Sequence, residues 1–231
     1  MTGTEYLRAI QANQNGCEAA TLGRLAEIDP KLPEVLQVTG ETLMLLEQYG
    51  TCHWGCRGGA HLLERFAART VSYALASLRL LWFGHYDEAY SLLRTLGELA
   101  NLLLLFANDS DELRLWRDAD ESERRNSFGA AAVRGKLEGR RLPLVLTRER
   151  FNVLSSRFAH SGQIPAAQLH NPSGVMTTGG YIQAGGLTYG IAQLAVFVAT
   201  IALALSEQGE MPDPNRESLR STADRLMTAM E

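Results

Sequence analysis

Apolar side chains recur at helical spacing through the middle of the chain. Between residues 60 and 83 they stand three, four and seven positions apart, which is typical of one apolar face on a long helix. A second segment of this kind runs from 86 to 106, and the polar residues that follow it at 108–110 end the pattern. Because only about three residues join the two segments, we expect them to turn back on each other as an antiparallel hairpin.

The rest of the chain also favours helices. Further helical patterns cover 5–11, 33–48, 187–205 and 214–230, and Thr147 is placed to cap a helix that includes Phe151, Leu154 and Phe158. No convincing run of alternating apolar and polar residues predicts a strand. We therefore predict an all-α fold, a helical bundle around the long antiparallel hairpin. It would form a single domain over 1–231, with N-terminal helices in 1–50, a core at about 58–206 and a C-terminal helix at 214–230.

One polar stripe interrupts the otherwise apolar second helix of the hairpin. Tyr90, Arg94, Glu98 and Asn101 follow one another at helical spacing on one side of it. Charged groups on a broadly buried helix must find partners or a wet cavity, because unpaired charges there cost several kcal/mol each. The stripe is therefore either an internal ion pair that ties the bundle together or part of a functional site.

A histidine ends the helix that Thr147 is expected to cap. Ser156 and His160 lie one turn apart, roughly opposite the apolar face that carries Phe151. In the last helical turn the helix dipole favours the protonated imidazole, so His160 is a candidate acid or base as well as a candidate C-terminal cap.

The net charge of −4 hides a strong asymmetry. Residues 124–157, here called the basic segment, contain nine basic residues and two acidic ones, which leaves −11 for the rest of the chain. A segment of +7 that leads into the His160 helix predicts an anionic partner, such as RNA or another phosphate-bearing ligand. The alternative is a solvated face, or pairing with the acidic remainder of the same chain.

Cysteine usage and hydropathy indicate a cytoplasmic protein. The first residues do not form a secretory signal, and three cysteines are too few for a disulfide framework. The most apolar stretch, 191–205, is shorter than the roughly 20 residues that span a bilayer, so no membrane association is predicted. Cys52, Cys56 and His61 lie close together, but without a second cysteine pair the sequence predicts no metal site. No phosphate-binding loop or other cofactor motif occurs, and we expect no cofactor.

Two short segments, RTLGELANL in the hairpin and LSSRFAHSG near His160, resemble members of the broad HEPN superfamily. The resemblance covers about residues 60–162. It implies a small helical bundle, often a homodimer, that acts in toxin–antitoxin or other prokaryotic conflict systems, and many such proteins cleave RNA without a metal. Their signature has an arginine, then four to six intervening residues, and then the histidine. Here Val153, Leu154 and Ser155 occupy those positions before His160, so the motif departs from the signature.

On this resemblance, Arg94, Glu98 and His160 are predicted as catalytic residues of a metal-independent ribonuclease. Tyr90, Asn101, Ser156 and Arg157 are predicted to bind substrate, and the hairpin to mediate a homodimer. The alternatives are a noncatalytic interaction module and a binder of a small phosphorylated ligand. The ribonuclease hypothesis expects the three catalytic residues to converge in an open cleft bordered by the basic segment. The interaction-module hypothesis expects them to be paired and closed off.

Overall fold

Helices make up the regular structure of the chain in a computed structural model, which describes residues 1–53, 55, 61–156, 180–208 and 211–231. Within those ranges there are eleven helices and no strand, which confirms the predicted all-α class. In chain order they are α1 (Gly3–Gly23), α2 (Leu25–Ile28), α3 (Leu32–Gly50), α4 (Leu62–Trp82), α5 (Tyr86–Asn108), α6 (Ser110–Asp118), α7 (Glu121–Phe128), α8 (Ala130–Gly139), α9 (Arg148–Ser156), α10 (Ala184–Ser206) and α11 (Asp213–Ala229).

The predicted antiparallel hairpin is formed by α4 and α5. Gly84 makes the reversal between them with a φ of +77°, a left-handed conformation that glycine adopts without steric cost. The main chain of Tyr181 lies so close that a Cβ on Gly84 would stand 2.4 Å from its carbonyl oxygen. The amide of Gly180 donates to the carbonyl of Phe83, so the chain entering α10 is attached to this turn.

The core lies between α5 and α10, with α3, α4 and α11 packed around them. Gly97 of α5 allows the closest approach, because a Cβ there would lie 2.9 Å from the ring of Phe197 on α10. Fifteen of the 23 residues of α10 are buried, so this helix is surrounded by protein on most sides. It is also several residues longer than the segment 187–205 that the pattern predicted.

Four helices differ from the sequence-based expectation. Helix α1 is much longer than the predicted 5–11, and α6, α7 and α8 occupy 110–139, where no helix was predicted. These helices present few apolar residues to the core, so they lack the periodic stripe that identifies α4 and α5. Their capping signals are present nevertheless: Asp109 caps α6, and Asp120 forms a capping box with Glu123 at the start of α7.

Part of the basic segment is neutralised inside the fold. Glu112 of α6 is 5% exposed and lies 2.5 Å from the Nζ of Lys136 in α8 and 2.6 Å from Nη2 of Arg140, the residue that follows α8. Arg140 also pairs with Asp109 at 3.1 Å. These ion pairs attach α8 to α6 and take two of the nine basic side chains out of the charge available to a partner.

Two helices, α5 and α10, are long and apolar enough to cross a membrane, judged by length and composition alone. In their most apolar 18-residue windows, 56% and 72% respectively is buried inside the fold. Core helices of soluble proteins have the same length and composition, so this property is weak evidence for either environment. A cytoplasmic protein without membrane association stays a prediction.

Candidate functional site

The polar stripe of α5 faces α9 and the non-helical segment 140–147 that precedes α9. At its C-terminal end, Asn101 is 2% exposed and its side chain is used in the fold. Its Nδ2 donates to the carbonyl of Leu146 at 2.9 Å, while its Oδ1 accepts from the amides of Val145 and Leu146 at 3.2 Å. Asn101 therefore fixes the chain that enters α9, and these three bonds occupy the amide that was predicted to bind substrate.

Arg94 and Glu98 form a partly exposed ion pair one turn apart on α5. The Arg94 Nε lies 3.7 Å from Oε1 of Glu98, and the two side chains are 27% and 32% exposed. At this distance the contact is electrostatic and lacks the geometry of a hydrogen bond. The pair is formed, as the interaction-module hypothesis expected, yet both groups remain in reach of solvent.

The phenyl ring of Phe151 contacts two arginines, Arg94 of this ion pair and Arg134 of α8. Phe151 of α9 has the Cζ of Arg134 at 4.5 Å from its ring centroid and the Cζ of Arg94 at 5.9 Å. In the described part of the chain, the buried Arg94 Nε and Arg134 Nη1 have no hydrogen-bond partner. The ring face offers both guanidinium groups a favourable electrostatic contact, although it does not replace a hydrogen-bond acceptor.

Glu98 lies where its charge is costly. Burial raises its pKa above the ordinary value for a glutamate, while the neighbouring Arg94 and Arg134 act in the opposite direction. A carboxyl group with a raised pKa next to two cations is suited to accept or donate a proton close to a bound anion.

Three other predicted site residues lie at the edge of the described range 61–156 or outside it. Arg157 and His160 lie outside the described residues. Ser156 is the last residue of α9, and its side chain is likewise outside the description. The convergence of His160 with Arg94 and Glu98 therefore stays a prediction.

A cavity of about 770 Å³ lies next to the N-terminal end of the stripe, between α5, α9 and the first two turns of α10. Its volume is in the range of small-molecule sites. Tyr90 is the one predicted site residue that lines it among those described, and its hydroxyl donates to the carbonyl of Gly186 at 2.7 Å. The ring of Tyr189 meets that of Tyr90 edge to face, with the centroids 5.5 Å apart.

Three further lining residues supply the chemistry of the cavity. Arg150 donates from Nη1 to the carbonyl of Val145 at 2.9 Å, a bond that orients the guanidinium without neutralising its charge. Burial raises the pKa of Tyr189, and the positive charge of Arg150 partly offsets that effect. Gln193 is 7% exposed, and its Oε1 has no hydrogen-bond partner in the described part of the chain. The cavity thus combines a cation, an aromatic ring and an unsatisfied acceptor.

Sequence reasoning singled out neither Tyr189 nor Gln193. Both lie in the apolar helix α10, and their spacing of four places them on one face, which is the signal that would have found them. Arg150 was counted only as part of the basic segment. It is brought to the cavity because Thr147 caps α9, where its Oγ1 accepts from the Arg150 amide at 3.2 Å.

The fold and the cavity define this protein as an all-α helical bundle with a polar-lined cavity between α5, α9 and α10. No protein-family model, no curated protein and no solved structure matches the chain.

Proposed function

We propose that this protein binds a nucleotide, free or as part of single-stranded RNA, in the cavity between α5, α9 and α10. The observation that carries the proposal is that Arg150 of α9 lines the same cavity as Tyr189 and Gln193 of α10, and that the buried Oε1 of Gln193 has no hydrogen-bond partner among the described residues. A nucleotide has a matching group for each: a phosphate for the cation, a planar base for the aromatic ring, and an N–H or hydroxyl donor for the amide oxygen.

The start of α10 supports an anion at the same place. Gly185 and Gly186 of its first turn line the cavity. The first amides of a helix carry partial positive charge and bind phosphates well. Glu149 is an acidic residue on the lining, so we expect the base and the phosphate to contribute together rather than the phosphate alone.

Two arginines of α9, one that lines the cavity and one that does not, allow a direct test. Arg150 lines the cavity, whereas Arg148, two residues before it, is exposed and is not among the described lining residues. Binding is measured by anisotropy with a labelled single-stranded RNA and by calorimetry with mononucleotides. We expect Arg150→Ala to weaken binding about tenfold or more and Arg148→Ala to have a small effect. Tyr189→Leu removes the ring and should cost a similar factor, since base stacking is worth about 1–3 kcal/mol.

The measurements with RNA and with mononucleotides distinguish the two possible kinds of ligand. RNA bound more tightly than any mononucleotide identifies an RNA-binding protein, and binding of mononucleotides alone identifies a receptor for a small phosphorylated ligand. An absence of binding in both arms contradicts the proposal. Equal losses in Arg148→Ala and Arg150→Ala also contradict it, because binding would then follow surface charge instead of the cavity.

A second candidate function is metal-independent RNA cleavage, which the HEPN-like resemblance implies. The observation that favours it is the raised pKa of Glu98 beside Arg94 and Arg134, since the buried Nε of Arg94 and Nη1 of Arg134 lack acceptors among the described residues. Arg94 would stabilise negative charge at a phosphate, and Glu98 with His160 would move the proton of the 2′-hydroxyl.

Cleavage is tested by incubating the protein, without added metal, with total cellular RNA and with a defined single-stranded RNA. We expect His160→Ala and Glu98→Gln to abolish cleavage, while Glu138→Gln, on the exposed side of α8, keeps it. RNA that stays intact at every salt concentration, although it binds in the cavity, would exclude this second function and leave the first in place.

A further inference from the structure

Three potential metal ligands within residues 52–64 meet at the connection between α3 and α4. Cys52 follows the end of α3, His61 directly precedes α4, and Glu64 is in the first turn of α4. The Cys52 Sγ lies 3.5 Å from Nδ1 of His61, and that same nitrogen lies 3.5 Å from Oε1 of Glu64. All three ligand atoms are within 4.8 Å of one another.

The backbone holds two of these residues in unusual conformations. Cys52 has a φ of +54° and His61 a φ of +48°, the left-handed region that residues with a side chain rarely adopt. Conformations of this kind cost about 1–3 kcal/mol each and recur where a site needs a particular arrangement. Here the two left-handed residues are also two members of the cluster.

The third member contributes an independent observation. The Glu64 side chain is 17% exposed, and its Oε2 is buried without a hydrogen-bond partner among the described residues. A buried carboxylate oxygen without a donor is costly unless a cation balances it. The cluster therefore contains an acceptor that a bound cation would satisfy.

The distances match the coordination shell of a tetrahedral zinc ion. With Zn–S near 2.3 Å and Zn–N and Zn–O near 2.1 Å, a tetrahedron holds sulfur and nitrogen about 3.5 Å apart and nitrogen and oxygen about 3.4 Å apart. Both Cys52–His61 and His61–Glu64 have about this separation, and only the sulfur and carboxylate need to approach each other.

A hydrolytic triad fits this arrangement less well. In such a triad the histidine faces the nucleophile with one ring nitrogen and the orienting carboxylate with the other. Here the cysteine and the glutamate both face Nδ1 of His61. Two groups that converge on one imidazole nitrogen are arranged around a common point, as metal ligands are.

We propose that Cys52, His61 and Glu64 bind one transition-metal ion, Zn²⁺ in preference to Mg²⁺ or Ca²⁺. Thiolate and imidazole select zinc over the oxygen-seeking alkaline-earth ions. The described residues supply three ligands, which leaves a fourth position for water or another group; Cys56, the remaining cysteine of this part of the sequence, lies outside them. The bound ion would join the end of α3 to the start of α4. None of the three ligands lines the cavity, so this site is independent of nucleotide binding.

The test uses the reduced full-length chain after treatment with a chelator. Calorimetry with ZnCl₂ should show one ion per chain, and Co²⁺ should give the charge-transfer absorption of a thiolate–cobalt bond. Cys52→Ser should abolish that absorption, and His61→Ala and Glu64→Gln should each weaken zinc binding about tenfold or more. The matched control is His53→Ala, an exposed histidine next to Cys52, which should bind like the original chain.

Circular dichroism and thermal unfolding keep these variants interpretable. Zinc should raise the Tm of the original chain and of His53→Ala by the same amount, and should raise the Tm of Glu64→Gln by less. If Cys52→Ser does not fold, the comparison of Glu64→Gln with His53→Ala decides. The proposal is overturned if the reduced chain binds no zinc, or if Glu64→Gln and His61→Ala bind zinc as tightly as the original chain.

Discussion

At the start of α5, Asp87 carries a carboxylate in a place that disfavours its charge. Its Oδ1 is buried and has no hydrogen-bond partner among the described residues. Burial, with a smaller contribution from Glu88, raises the pKa of Asp87 from 3.8 to about 6. The folded chain thus binds this proton more tightly than the unfolded chain. The free energy of unfolding should therefore fall as the pH rises from about 4 to about 6.

Replacing Asp87 with asparagine should stabilise the protein at pH 7.5, because it removes the charge but keeps the shape. The expected gain is about 1 kcal/mol, well below the value for full burial, because the side chain is partly exposed and screened by solvent. Below pH 4 the gain should vanish, since the carboxyl group is then protonated in both states. Urea unfolding at both pH values measures it. Asp224→Asn, at an exposed position of α11, is the control, and an equal gain at both pH values would contradict the explanation.

Asn101 is expected to contribute to stability rather than to contact a ligand directly. Asn101→Ala removes three hydrogen bonds and leaves the amides of Val145 and Leu146 without their acceptor. Since each buried unsatisfied group costs about 1–3 kcal/mol, we expect a loss of about 2–4 kcal/mol in urea unfolding. Asn108→Ala, at the exposed end of the same helix, should change stability by less than about 0.5 kcal/mol. Equal effects of the two substitutions would contradict this role.

Among the helices, the contact between α5 and α10 depends on one glycine. Gly97→Ala places a Cβ 2.9 Å from the Phe197 ring and 3.2 Å from the Leu146 Cβ, and neither neighbour is a flexible chain end. We expect a loss of about 1–3 kcal/mol from overpacking. Gly40→Ala, at an open exposed position of α3, should instead stabilise by about 0.5–1 kcal/mol through helix propensity. Thermal unfolding of both variants measures the difference, and a stabilising Gly97→Ala would show that the helices can move apart at little cost.

How well each helix could be predicted from the sequence depended on how many apolar residues it contributes to the core. The long hairpin and α10 have continuous apolar faces, so their class and approximate bounds could be predicted from periodicity. Helices α6 to α8 are short and polar, and capping by Asp109 and Asp120 was a weaker signal than the missing apolar stripe. Tertiary contacts such as the Glu112 ion pairs stabilise these helices, and contacts of this kind cannot be predicted from a local sequence pattern.

The candidate site was predictable only where it lies on one helix. Spacing alone placed Arg94 next to Glu98, and the structure has them paired. The cavity joins residues almost one hundred positions apart, as in the bond between Tyr90 and Gly186, and this proximity arises from the packing of α10. The sequence predicts no metal site at Cys52 because a second cysteine pair is missing, whereas the structure brings Glu64, three residues after His61, to the same place.

Over the whole molecule, the +7 of the basic segment overstates the charge that a nucleic acid can use. Lys136 and Arg140 are paired with Glu112, and Arg125 pairs with Glu121. Arg124 donates to the backbone carbonyls of residues 116 and 117, so its guanidinium group is already engaged within the fold. Arg134 packs against the ring of Phe151. Among the described basic residues this leaves those at 141, 148 and 150, of which only Arg150 lines the cavity, while Arg157 lies outside the described residues.

RNA binding should accordingly depend only moderately on salt. Each phosphate neutralised on a single strand contributes about −0.7 to the slope of log K against log salt, so three or four contacts predict a slope of about −2 to −3. Contacts from all nine basic residues would give about −6. Anisotropy titrations at several salt concentrations measure the slope. A value near −6 would show that the ion pairs with Glu112 open when RNA binds.

The burial of α10 has a consequence for how the chain can be divided. A cut anywhere in 157–179 would yield two polypeptides, and the second, carrying α10 and α11, would supply 15 of the 37 buried residues in the main apolar cluster of the described chain. Neither piece could bury its apolar surface alone, so each should act as the template for the other. Coexpressed halves that copurify would make this bundle a split protein, whose reassembly reports directly on the packing of α10 against α5.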